Sequence, residues 1–142
     1  MGIGRLVLFA IGLSCFTSLA ACEPYRRAKE CRVISDLVNP TLRAIDAERT
    51  KRDDAPAYAR IAILYDTLSG KLLSQRYSSK RLSDAVAEYA RLLSDASRDA
   101  RVYSDALVTK DPARTAIARA AAGHTLKREN TAILRIDGAC TK

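Results

Sequence analysis

Four cysteines, one histidine and six tyrosines are the residues of this 142-residue chain best suited to chemistry. Cys15, Cys22, Cys31 and Cys140 stand far apart, and none has the CxxC or CxxH neighbour that a zinc or haem site uses. His124 is alone, so no serine or cysteine has a visible base, and a metal cluster would have to be built from carboxylates. The 16 Asp and Glu are scattered among 24 Lys and Arg, the pattern of solvated faces. Met1 is the only methionine, and no glycine-rich phosphate loop appears. His124 follows an alanine run and reads as a partly buried polar residue. These residue types point to no catalytic group, no metal and no cofactor.

The first residues carry a stronger signal. Arg5 is followed by LVLFAIGLSCFTSLAAC, an apolar run too short to span a bilayer, which takes about 20 residues. A basic start, a brief apolar core and a small-residue end describe a secretory signal peptide. The ending Leu19-Ala20-Ala21-Cys22 resembles the lipobox of bacterial lipoproteins. Small side chains suit the scissile bond, and the thiol receives the lipid. The resemblance implies a diacylglycerol on Cys22, cleavage after Ala21 and acylation of the new amino terminus. Cys15 is the rival lipid site, but Gly12-Leu13-Ser14-Cys15 lacks the large residue at the required place. In the enteric pattern an aspartate after the lipidated cysteine retains a lipoprotein in the inner membrane. Glu23 stands there, which leans toward the outer membrane.

The resemblance divides the chain into a signal peptide, 1–21, and a periplasmic domain, 22–142. It also implies a fate for the remaining thiols. Cys15 leaves with the leader and Cys22 carries lipid, so Cys31 and Cys140 reach an oxidising compartment, where a disulfide is expected. Two free buried cysteines are the alternative. Loss of Arg5 takes the formal charge from +8 to +7. Arg26, Arg27, Lys29 and Arg32 follow the lipidated cysteine at once and are candidates for contact with anionic lipid. A solvated helix face is the other reading of the same residues. Basic and acidic residues are interleaved, so nucleic acid is not an expected partner.

Helices must position these groups. There is no tryptophan, both phenylalanines lie in the leader, and strand-favouring residues are scarce. Ile34, Val38, Leu42 and Ile45 predict a helix over about 25–49, with a kink or short break at Asn39-Pro40. Ile61, Tyr65, Leu68 and Leu72 predict a second over 56–76, opened by Asp54 and Pro56, with Gly70 inside it at a cost of about 1 kcal/mol relative to alanine unless the glycine allows close packing. Leu82, Val86, Tyr89, Leu93, Ala96, Ala100, Tyr103 and Leu107 alternate by four and three, the seam of a coiled coil. A fourth helix is expected over 112–136, capped by Asp111. It has a small-residue first half for close packing, bulk from Leu126, Ile133, Leu134 and Ile136, and a left-handed Gly138 after its end.

Four such helices joined by short turns predict an all-α, up-down-up-down four-helix bundle. That path brings Cys31 and Cys140 to one end, with Cα atoms within about 7 Å. The functional expectation is a lipid-anchored, non-enzymatic envelope protein working through protein or cell-wall contacts. The alternative is a small-ligand carrier or enzyme with a pocket between the helices. Convergence of Tyr65, Tyr89, Tyr103 and His124 on a cavity would favour the alternative.

Overall fold

The computed structural model describes residues 18–141, so all but the last four residues of the leader, and any processing of it, lie outside the described residues. Four helices follow one another: α1 (Ser18–Arg49), α2 (Ala55–Leu73), α3 (Lys80–Thr109) and α4 (Pro112–Cys140). They run up, down, up and down as a bundle. α3 is central, packing along α2 on one side and α4 on the other, while α1 packs on α2 and meets α4 at little more than one end.

The expected seam of α3 is its buried face. Leu82, Val86, Tyr89, Leu93, Ala96, Ala100 and Tyr103 are all buried, and Leu107 is half-buried. Ser79 caps this helix by accepting from the Leu82 N–H, and Asp111 caps α4 by accepting from Ala113 and Arg114, both at 3.0 Å. Asp54 stands at the cap position of α2, but its side chain makes no cap bond. It lies 3.5 Å from the Arg60 guanidinium instead.

A second line on α3 sets how closely α2 approaches. Ala90, Ser97 and Ser104 are spaced by sevens, and so are Ala55, Ala62 and Ser69 on α2. Run antiparallel, the two lines pair one to one. The Ser69 hydroxyl donates to the Ala90 carbonyl at 2.9 Å, Ser97 to Ala62 at 3.0 Å, and Ser104 to Ala55 at 2.8 Å. Small side chains let the backbones close in, and each buried hydroxyl finds a partner there.

Several expectations fail, each for a local reason. α1 passes through Pro40 without a break. The ring is exposed, and the turn around it is held by Asn39 to Ser35 at 2.8 Å and Thr41 to the Leu37 carbonyl at 2.9 Å. α2 ends at Leu73, before Arg76, because the Tyr77 hydroxyl folds back to the Leu72 carbonyl at 2.9 Å. Gly70 faces open space, so close packing does not explain it. α4 runs through Gly138 to Cys140, and no glycine among the described residues has a left-handed backbone. Its small-residue half is mostly exposed, with Ala118 the buried exception. The buried line of α4 is Ala118, Thr125, Glu129, Ala132, Ile136 and Ala139, while Leu134 is 69 % exposed.

Candidate functional site

Two places gather the chemistry-bearing residues. The first is the end of the bundle where α1 enters. Cys31 and Cys140 are disulfide-bonded there, with Cα atoms 6.0 Å apart across 109 residues of sequence. The bridge ties the outermost helices where the up-down path was expected to bring them. Beside it, Glu30 accepts from the Ser78 backbone N–H at 3.1 Å and from its hydroxyl at 3.0 Å. This clamps the turn between α2 and α3 onto α1. Burial, with Glu30 nearby, pushes the Tyr77 hydroxyl up to about 12.

The clamp brings a cation that sequence reasoning missed. Arg26, Lys29, Glu30 and Val33 of α1 line a shallow cleft of about 190 Å3 with Gln75, Arg76 and Tyr77. Arg32 lies exposed on the same helix, whereas Arg27 is partly buried and sits 3.4 Å from Glu23. The four basic residues singled out by position therefore divide: Arg26 and Lys29 share a site, Arg32 faces solvent, and Arg27 is paired. Arg76 had only one signal in the sequence, its place at the expected end of the second helix.

The second place is inside the bundle. Glu129 is 3 % exposed and lies among Tyr65 and Tyr89. Their hydroxyls donate to its two oxygens at 3.5 Å and 3.3 Å, and the Arg49 guanidinium donates to Tyr65 at 2.5 Å. Burial outweighs Arg49 and both hydroxyls and lifts the Glu129 carboxyl above the usual glutamate range. Burial likewise raises both tyrosines. The adjoining cleft, lined by Arg49, Tyr58, Tyr65, Asp99 and Thr125, holds about 40 Å3. That is water-sized, against about 300–1,000 Å3 for a ligand pocket. Tyr103 is elsewhere, donating to Asp53 at 2.9 Å and stacked edge-on against Tyr58. His124 is exposed, not partly buried as expected. Of the four residues that could have converged, two do, and they meet inside the core.

Fold and site together define a disulfide-closed, all-α four-helix bundle with a buried tyrosine–glutamate cluster. Compared with protein families, curated proteins and solved structures, the chain matches none.

Proposed function

We propose that the chain is a lipid-anchored, non-enzymatic envelope lipoprotein whose helical domain works by contact with a protein or cell-wall partner. The observation that carries this reading is Leu19-Ala20-Ala21-Cys22 at the end of a basic, apolar leader. The domain behind it supports the same reading. The cysteines expected to survive processing are paired, as in proteins that reach an oxidising space. No described helix is long and apolar enough to cross a membrane. Two or more acyl chains make a stable anchor, each buried methylene contributing about 0.8 kcal/mol.

A carrier or enzyme needs room for its ligand. The convergent tyrosines are occupied by Glu129, and the cleft beside them is too small for a metabolite. The larger groove beside Arg81, Glu88, Arg91 and Arg135, about 470 Å3, opens broadly to solvent. Intact-mass measurement of the membrane fraction tests the anchor. The expected product begins at Cys22 and carries diacylglycerol and an acyl chain. A soluble product, or one beginning elsewhere, overturns the reading.

A further inference from the structure

We propose that the disulfide-bearing end of the bundle is a docking face for a bilayer of anionic phospholipid, whose phosphates are bound by Arg26, Lys29 and Arg76. This rests on the anchor reading for its orientation and deepens it, because it assigns the domain itself a lipid class.

The first argument is charge. Three cations and a single carboxylate, Glu30, line one cleft, and the excess of like charge favours an added anion there. The carboxylates nearby are engaged. Glu30 is held by Ser78, Glu23 lies against Arg27, and Asp84 pairs with Lys80 at 2.6 Å. Among the described residues, Arg26, Lys29, Arg32 and Arg76 have no carboxylate within 4.0 Å. At the opposite pole, Lys51, Arg60 and Arg119 are each matched to a carboxylate, while, among the described residues, Arg52, Lys110 and Arg114 are not, so what sets the disulfide end apart is that its unmatched cations gather in one cleft.

The second argument is height. α1 is continuous from before Cys22, and a helix rises 1.5 Å per residue, which places Arg26 about 6 Å and Lys29 about 10 Å beyond Cys22. Arg76 shares their cleft and therefore their level. With Cys22 held at the bilayer, all three lie within about one Debye length, roughly 8–10 Å, of its surface. The third is apolar exposure at the same end. Tyr25 is 77 % and Leu73 60 % exposed, and tyrosine favours the headgroup level.

Every buried apolar residue lies between Ile34 and Ala139, and both bridged cysteines fall within 31–140. A chain of residues 23–142 thus keeps the whole core and loses the anchor, and circular dichroism melts verify each variant's fold. The probe is co-sedimentation with vesicles of phosphatidylcholine, with and without a third of phosphatidylglycerol. The expected result is binding to the anionic vesicles only, weakening with salt, and at least tenfold weaker in the triple variant Arg26→Gln/Lys29→Gln/Arg76→Gln. The matched triple Arg52→Gln/Lys110→Gln/Arg114→Gln, at the other pole, should bind as the parent does. Equal binding to neutral vesicles, no binding to either, an equal loss in both triples, or capture by purified cell-wall sacculi in place of vesicles would overturn the proposal. None of these outcomes depends on lipidation, so an unlipidated Cys22 found by mass would sink the anchor reading separately.

Discussion

Glu129 occupies a core position of α4 that a leucine would fill more cheaply, and its consequences are felt through protons. In the unfolded chain its carboxyl titrates near 4.5, and in the folded chain burial holds the proton to higher pH. The folded state therefore binds more protons across that interval. Stability from this group is full below about pH 4.5 and is lost as pH rises through the raised folded value. Glu129→Gln keeps an acceptor for Tyr65 and Tyr89 but carries no charge. Urea unfolding at a series of pH values should show this decline in the parent and not in Glu129→Gln. Glu129→Ala, which strands the Tyr89 hydroxyl and leaves that of Tyr65 with Arg49 alone, should cost about 1–3 kcal/mol.

At the scale of elements, the pairing of α2 with α3 is decided by size. Ser97 is fully buried against Ala62. Ser97→Ala removes the bond to the Ala62 carbonyl, which keeps its place in α2, and the one that Ser97 accepts from the exposed Arg101 guanidinium at 2.9 Å, so thermal denaturation should register a loss of about 1–2 kcal/mol. Ser97→Leu forces the backbones apart and should cost about 1–3 kcal/mol or more. A larger cost for the alanine than for the leucine would mean the hydroxyls, not the spacing, hold the pair. The same contrast explains what the amino-acid order reveals. Leu82 to Tyr103 stand out because large apolar residues alternate with charged ones. Ala90, Ser97 and Ser104 carry no such contrast, though their sevenfold spacing was there to be matched with 55, 62 and 69. The face of α4 was misjudged for a related reason. Ile136 is buried and Ile133 packs against the core as expected, but the rest of the buried line is alanine, threonine and glutamate, and the bulk beside it comes from Tyr89 and its neighbours on α3. Of the candidate site, the cysteine pair followed from the expectation of export and from topology. Arg76 did not, because only the Glu30–Ser78 clamp brings its turn beside α1.

For the molecule as a whole, α1 is the least supported helix. It packs on α2 and is joined to α4 chiefly at the bridge. Closing a loop of roughly 110 residues stabilises by about 4–5 kcal/mol in the chain-entropy view, and here it also supplies most of the α1–α4 contact. Cys140→Ser should lower stability by about 2–5 kcal/mol with little change in helix content. Hydrogen exchange should quicken in α1 well before it does in α2 and α3. Uniform quickening along the chain would mean that α1 is held as firmly by packing as its neighbours.

The bridge also decides what a protease can achieve. All three turns, at 50–54, 74–79 and 110–111, lie inside the ring that Cys31 and Cys140 close. A single nick in any of them severs the backbone yet releases nothing, because one piece keeps Cys31, the other keeps Cys140, and the two stay covalently one particle. Shedding the domain from whatever holds its amino terminus takes a cut before Cys31, in the stretch that α1 presents beyond the bundle, or a reductant in addition to the nick.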